Sequence, residues 1–445
     1  MFRPRRPDGP TERLKTLDEW LALQESVHPK TIDMGLARVS SVARTLGVDK
    51  PSCPVFTVGG TNGKGSTVTH IEAFLRAGGI STGMFTSPHF IRYNERVCVN
   101  GAEVGDAELI SAFERIESAR AATTLTFFEY NTLAALLIFA DRGVEAMVLE
   151  VGLGGRLDAS NLVDADVGVV CSIGLDHRDW LGDTLELIGA EKAAIFRPGR
   201  PAVLGTSEMP RSVFAAIESI GARPIVAGEG FTWHVERKRW GYRGLRLALR
   251  DLPPSALAGS IQYRNAATAL AAVEALDPAR VPALALDERT VSHALSTVRL
   301  AGRFQVVPGS GITASGPGEW ILDIAHNAPA AAIFAEHVKE RPLPSRNGRT
   351  VAVVGILGDK DAPEIVGALA PLVDQWFLCS LPGPRGVSAE QLARRVSLPN
   401  ERVTLAGTVE EACEAARAAT HPEDRVLVFG SVYTVGPALQ WLRIY

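Results

Sequence analysis

Val58-Gly59-Gly60-Thr61-Asn62-Gly63-Lys64-Gly65-Ser66-Thr67 is the stretch on which the fold turns. A short β-rich run, Val55-Phe56-Thr57-Val58, leads into it, and a helical pattern from about Ser66 to Ala77 follows. A strand, a glycine turn and a helix in that order make a phosphate cradle. The glycines let backbone N–H groups face a polyphosphate, and the helix N-terminus adds positive potential. Lys64 can reach the outer phosphates, and Ser66 or Thr67 can offer a hydroxyl to phosphate or Mg²⁺. The spacing departs from G-x-x-x-x-G-K-[ST]: position 58, where the first glycine belongs, is Val, and Gly65 separates Lys64 from Ser66. A plain glycine turn is the bland alternative, and the order of strand, glycines, lysine, hydroxyls and helix weighs against it.

Outward from this stretch, strand and helix patterns alternate. Ala146 to Val151 and Val167 to Ser172 are continuous apolar runs, as expected of parallel strands covered on both faces. Helices between them imply right-handed crossovers and a doubly wound α/β sheet. A second α/β block begins near Ala301, with strand candidates at 320–323, 351–355 and 426–430. The expected organisation is two α/β domains, 1–300 and 301–445, with a parallel-rich sheet in the first and a smaller Rossmann-like sheet in the second. The stretch Phe231 to Leu252, rich in arginine and aromatic residues, reads as an antiparallel excursion with a solvated basic face. The sharper alternative is a patch that helps hold an anionic ligand. Residues 341–349 read as a surface loop.

The chain has 445 residues, 46% hydrophobic and 22% charged, a balance that excludes a disordered chain. Lys+Arg 46 against Asp+Glu 50 gives a net charge of −4, so no global positive field attracts nucleic acid. No apolar stretch approaches the roughly 18–20 residues of a membrane span. The basic start, Met1 to Pro7, has no apolar signal core behind it, so a cytoplasmic location is expected. Five cysteines with no close pair make neither a disulfide framework nor a zinc site, and Cys171 reads as a core residue.

Further polar clusters sit at strand ends. Glu150 closes the 146–151 run, where a carboxylate faces the ligand crevice and can hold magnesium. The Gly152-Leu153-Gly154-Gly155-Arg156-Leu157-Asp158 segment after it fails the dinucleotide pattern, because Leu157 stands where the third glycine belongs. Asp176, His177 and Asp179 follow the next strand and are candidate ligands. Lys192 lies in a helical stretch that ends at Pro198-Gly199; composition alone reads it as an ordinary helix lysine. In the second block, Asp323 and His326 can hydrogen-bond a ribose, a base or a reacting amine. Gly358 to Asp361 and Gly430 to Thr434 end neighbouring strands, so this block is expected to close over a shared cleft.

Taken in order, these motifs resemble the folylpolyglutamate synthase family of the Mur ligase superfamily, in its bacterial bifunctional form. The resemblance rests on His28-Pro29-Lys30-Thr31-Ile32-Asp33, Gly60 to Ser66, Ser87-Pro88-His89, Thr126-Phe127-Phe128-Glu129, Glu150 to Asp158, Asp176-His177, Glu191 to Phe196, Gly302-Arg303-Phe304-Gln305 and Asp323 to Asn327. It spans about residues 14 to 440. It implies a P-loop Mur-ligase-type central domain, a smaller C-terminal ligase domain and an ATP-dependent amide ligase. The pterin substrate's carboxylate takes the γ-phosphoryl group of ATP, and the amine of L-glutamate displaces phosphate from the acyl phosphate.

By position, the resemblance assigns Thr61, Asn62, Gly63, Lys64, Gly65 and Ser66 to ATP, with Asn265, Arg303 and Asp323 reaching it from the domain junction. Ser87, Glu150 and His177 fall to Mg²⁺, with K⁺ as an optional second cation. Lys192 matches a lysine that is carbamylated in the family. Thr126, Leu157, Asp158 and Ala159 match pterin contacts, as does His28. His326 and Ser431 are candidates for handling glutamate or the acyl phosphate, and Lys64, Lys192 and His326 form the catalytic set. The implied partners are dihydropteroate, reduced folates, L-glutamate and ATP, taken up by a monomer without nucleic acid or membrane. Two departures stand out: Ala328 replaces the usual Pro after His-Asn, and the stretch from Pro308-Gly309-Ser310-Gly311 to Asp323 is long. Three alternatives stay open: a monofunctional folylpolyglutamate synthase, a cell-wall Mur ligase (for which the roughly 50 residues before the phosphate-loop strand are too few) and a P-loop nucleotide-binding regulator.

Overall fold

The computed structural model describes residues 15–30, 32–309 and 316–445. The basic N-terminal stretch, Thr31 and residues 310–315 of the long loop lie outside the described residues. The strands, in chain order, are β1 (Val55–Gly59), β2 (Thr82–Phe85), β3 (Val97–Val99), β4 (Ala102–Glu103), β5 (Ala146–Glu150), β6 (Val167–Val170), β7 (Pro201–Leu204) and β8 (Arg223–Val226). They form one sheet in the order β4-β3-β2-β5-β1-β6-β7-β8. Every pair from β2 to β8 across this sheet is parallel, while β3 and β4 run antiparallel at one edge.

Alternation along the strands explains the two covered faces. Phe56, Val58, Val148, Val167 and Val169 pack with the helices Lys64–Ala77 and Ile261–Ala275. Val55, Phe85, Met147 and Leu149 pack on the other face with the helix Phe127–Asp141. With both faces buried the polar-out signal disappears, which is why these strands read as unbroken apolar runs. The helix after the phosphate turn starts at Lys64, two residues before the expected Ser66, because Gly63 at φ 90° leads straight into the first turn.

Next come β9 (Thr232–Glu236), β10 (Arg239–Arg243) and β11 (Ala248–Leu252), an antiparallel three-stranded sheet as expected for the 231–252 stretch. Trp240 and Tyr242 are buried against the main core, whereas Arg237, Lys238 and Arg239 are exposed. Arg239 pairs with Asp251. None of these residues lines the large cavity described below. Glu274, on the helix Ile261–Ala275, anchors the excursion: it accepts hydrogen bonds from the Tyr242 hydroxyl at 2.8 Å and from the backbone N–H groups of Leu245, Arg246 and Leu247.

The second sheet contains β12 (Gln305–Pro308), β13 (Glu319–Asp323), β14 (Thr350–Val354), β15 (Gln375–Cys379), β16 (Val403–Ala406) and β17 (Arg425–Phe429), in the order β12-β13-β17-β14-β15-β16. Only the β12 edge is antiparallel. Ile321, Ala352, Val354, Leu427 and Phe429 face one helical layer, and Trp320, Leu322, Val351, Val353 and Val428 face the other. All five cysteines are free. Burial pushes the Cys171 thiol up to about 11, as befits a core residue. No helix of the described residues is long and apolar enough to cross a membrane.

One close approach positions the site. Gly155 lies against the helix Leu185–Ala193, where an added Cβ would stand 2.7 Å from the Glu191 carbonyl oxygen and 3.1 Å from Lys192 Cα. Gly155→Ala therefore forces the loop away from the helix that carries Lys192. The expected cost is about 1–3 kcal/mol of stability, read as a lowered midpoint in denaturant unfolding; an unchanged midpoint would show that the contact relaxes freely.

Candidate active site

A cavity of about 460 Å³ opens between the two blocks, lined from both sides. It lies where strands β1, β5 and β6 end, the crevice in which open α/β sheets take ligands. The phosphate turn is its floor. Gly60 and Gly63 have φ of 134° and 90°, and a Cβ on Gly63 would sit 3.0 Å from Asn265 Oδ1. Thr61 spends its hydroxyl on Gly174, donating to its carbonyl and accepting from its N–H at 3.0 Å, so its backbone is what it presents to a phosphate. Lys64 Nζ donates to the Gly60 and Thr61 carbonyls at 3.0 and 3.1 Å, curled over its own turn. Ser66 lines the cavity, whereas the Thr67 hydroxyl accepts from the Cys171 thiol. Of the two residues, Ser66 is the one that lines the cavity.

Glu150, 3% exposed, ends β5 beside the turn. Its Oε2 accepts from the Ser87 N–H at 3.0 Å, and Oε1 stands 3.8 Å from the place a Gly65 Cβ would occupy. Burial pushes this carboxyl up, opposed by the charges of Lys64, Arg303 and Arg96. His177 adopts a left-handed φ of 52° after β6. Burial, ahead of nearby cations, lowers its pKa to about 4, so it is neutral at pH 7. Among the described residues no three His, Cys, Asp or Glu side chains gather as for a protein-only metal centre. One carboxylate with a hydroxyl beside a phosphate cradle instead fits Mg²⁺, which binds through one or two carboxylates plus substrate phosphates.

Lys192 is 5% exposed and its ammonium makes no hydrogen bond or ion pair among the described residues. Burial, then the charge of Lys64, brings its pKa down from 10.5 to about 7. It lines the same cavity as Glu150 and His177.

The second block reaches in through Asp176. Lys360 Nζ lies 2.6 Å from Asp176 Oδ1, Asn327 Nδ2 donates to Oδ2 at 2.8 Å, and His326 Nε2 stands 3.4 Å from Oδ2. Burial raises the Asp176 carboxyl, but the His326 hydrogen bond and the His177, His326 and Lys360 charges outweigh it and hold the group well below the carboxylate range. Asn327 also exchanges amide hydrogen bonds with Asn62 at 3.1 and 3.2 Å, tying the phosphate turn to the start of the helix Ala328–Glu340.

The remaining candidates divide. Thr126, Leu157, Ala159, Asn265, Arg303 and Ser431 line the cavity. Asp158 lines it too, but its oxygens accept from Leu153 N at 2.8 Å and from Ser160 N and Oγ at 2.9 and 2.6 Å, so it shapes the loop. Asp323 accepts from Phe304 N and Ala325 N at 2.8 and 2.9 Å, beside Arg303. His28 does not line the cavity. Its Nδ1 accepts from Lys30 N at 3.1 Å and its Nε2 lies 3.3 Å from Asp33, because the strand-less segment folds the imidazole back onto that carboxylate. Ile32 and Asp33 of this segment line the cavity, and Asp33 also takes Arg38 at 2.6 Å. Asp176 was a candidate by its place at a strand end, but the assignment by resemblance gave no role to Asp176, Asn327 or Lys360, although each stands in a strand-end motif visible in the sequence.

The Mur ligase middle domain family matches residues 58–218 and the Mur ligase glutamate ligase domain family matches residues 302–432. The dihydrofolate synthase/folylpolyglutamate synthase of Escherichia coli K12 is 42% identical over 424 residues, covering 95% of each chain. A structure of E. coli FolC in complex with DHPP and ADP superposes with a TM-score of 0.89 at 41% identity, covering 98% of this chain and 99% of that one. A bifunctional folylpolyglutamate synthase/dihydrofolate synthase with Mn, AMPPNP and L-glutamate bound gives 0.86 at 38% identity, covering 97% and 98%. With that agreement over nearly the whole length, the chain belongs to the folylpolyglutamate synthase family of the Mur ligases.

Proposed function

We propose that this chain is an ATP-dependent ligase that adds L-glutamate to dihydropteroate, forming dihydrofolate, and to reduced folates, forming folylpolyglutamates. The observation that carries it is the shared cavity: a phosphate turn on one block faces the His326, Asn327 and Lys360 groups of the other across Asp176. Acid–amine ligation needs ATP, an acid and an amine within one water-excluding space. The substrate carboxylate attacks the γ-phosphorus, the bond to the ADP oxygen breaks, and an acyl phosphate forms. The glutamate amine then attacks the acyl carbon, loses a proton and expels inorganic phosphate.

In this reading Thr61 to Ser66 cradle the phosphates through backbone N–H groups, and Lys64 swings from its own turn onto the transferring group. Asn265, Arg303 and Asp323 hold the nucleotide. Thr126, Leu157, Asp158 and Ala159 shape the pterin side, and His326 and Ser431 handle glutamate or the acyl phosphate. Glu150, Ser87 and His177 would hold Mg²⁺, which neutralises phosphate charge when bound; K⁺ is an optional addition. Residues 1–300 and 301–445 act as the two closing domains of a cytoplasmic monomer.

ADP release by the purified protein is expected to require an acceptor and glutamate together, with both dihydropteroate and a reduced folate accepted. Turnover of the folate alone would give the monofunctional reading, and acceptor-independent ATP hydrolysis would favour a regulator.

Lys64→Ala removes a donor aimed at charge that develops in the transition state. A fall in kcat of at least ~10²-fold is expected, with near-normal turnover removing Lys64 from the chemistry.

Lys192, with a pKa near 7, is a neutral amine over much of the neutral range and can add CO₂ to give a carbamate. Protonation below about pH 7 blocks that addition, so activity is expected to fall on the acid side and to recover with added bicarbonate. Lys192→Ala is expected to fold and bind ATP but lose ligase activity, with partial rescue by acetate. Full activity of that variant, or of the parent chain in CO₂-depleted buffer, would refute the modification.

A further inference from the structure

Arg96 has no part in the reading above. It ends the short turn Tyr93–Arg96 directly before β3, is 8% exposed and lines the cavity. Its Nε donates to His89 Nδ1 at 2.7 Å, and its guanidinium lies 5.5 Å from the Phe127 ring centre and 5.9 Å from that of Tyr93. Its two terminal nitrogens make no hydrogen bond, and its charge no ion pair, among the described residues. Burial, ahead of the partial compensation by nearby acids, pulls it below the usual arginine range.

A buried guanidinium without an ion-pair partner is costly, and the ring faces and the more distant charges of Glu95 and Glu150 offset only part of that cost. The surrounding structure nevertheless fixes it. His89 Nδ1 accepts from Nε. That contact sets the roll of the fork and leaves its outer edge for a ligand. His89 stands in the Ser87-Pro88-His89 motif, which the metal assignment used only for Ser87.

Position selects the ligand. From β1 the sheet runs through β5 and β2 to β3, three strand spacings, or about 14 Å at 4.7–4.9 Å each. The start of β3, where Arg96 stands, thus lies beyond the ends of β5 and β2 from the phosphate turn. The helix Val432–Trp441 of the second block roofs this corner. A Cβ on its Gly436 would come within 2.6 Å of the Phe90 carbonyl oxygen, and Ser431 and Tyr433 line the same cavity.

We propose that Arg96 is a binding residue for a carboxylate of an organic-acid substrate, received by its planar fork between β3 and the first turn of the helix Val432–Trp441. A planar two-donor fork matches a carboxylate bidentately. The inference rests on the ligase reading, which supplies three such groups: those of free L-glutamate, the acceptor's reacting carboxylate, and the α-carboxylate of a folate's glutamyl tail.

The test is Arg96→Met and Arg96→Lys, assayed for KM of glutamate, ATP and two acceptors, dihydropteroate and a reduced folate. Arg96→Met is expected to raise the KM of the carboxylate's owner at least ~10-fold while the KM for ATP stays within about twofold, and Arg96→Lys should restore part of the loss. A raised glutamate KM with both acceptors identifies the incoming amino acid. A raised acceptor KM with both identifies the reacting carboxylate, and one confined to the folate identifies the tail. Without ligands, Arg96→Met should melt no lower than the parent, since it removes an unpaired buried charge. Glutamate and acceptor KM values within about twofold of the parent, or a lowered ligand-free melting point with no change in KM, would overturn the proposal. If the parent chain shows no glutamate-dependent ADP release, the ligase reading has failed instead. The thermal shifts produced by glutamate and by each acceptor then decide on Arg96 alone: shifts equal in parent and Arg96→Met overturn it, and a shift lost in the variant supports it.

Discussion

The Asp176 carboxylate is where the two blocks meet chemically. Its ion pair with Lys360 joins side chains that are 9% and 8% exposed, and Asn327 and His326 close on its second oxygen. Taking two charges out of water costs more than it returns unless the remaining lone pairs are satisfied, and here they are. The gain is specificity of arrangement. A displaced second block strands a buried carboxylate and a buried ammonium at once, so the aligned placement is strongly preferred over neighbouring ones. The amide exchange between Asn62 and Asn327 carries that alignment into the phosphate turn itself.

Around this point the first sheet distributes its charges by strand order. The turn after β1 carries Lys64, the end of β5 carries Glu150, and the loop after β6 carries Asp176 and His177. Adjacent strand ends thus bring a cation, a carboxylate and a neutral imidazole to one rim without any of them being close in sequence. Parallel pairing is what makes this possible, because it puts every C-terminal end on the same side.

Much of this was legible before any coordinates. The phosphate turn is a local device, so its glycines, lysine and hydroxyl announce it, and the buried strands betray themselves as unbroken apolar runs. The choice between Ser66 and Thr67 was not legible, since it depends on Cys171 reaching Thr67 from 104 residues away. The Asp176–Lys360 pair spans 184 residues and leaves no periodic trace. Lys192 reads as any helix lysine by composition, and only the family resemblance singles it out; its burial depends on tertiary packing, with Gly155 against the same helix, that composition does not show. In the His28–Asp33 motif the cavity is lined by Ile32 and Asp33, and the His28 imidazole packs beside the Asp33 carboxylate, an arrangement the motif alone does not reveal.

The antiparallel excursion has a bearing on which parts of the chain are free to drift. Its inner face, Trp240 and Tyr242, is tied through Glu274 to the helix that also presents Asn265 to Gly63 of the phosphate turn. Its outer face, with Arg237, Lys238 and Arg239, is exposed, and Arg239 pairs with Asp251. Natural variation in this segment should therefore be lopsided: the outer positions can exchange charge, length and even sign across species, while the inner pair and Glu274 change together or not at all. A ribbon that looks peripheral thus behaves, under selection, as a strut of the nucleotide pocket on one side and as ordinary surface on the other.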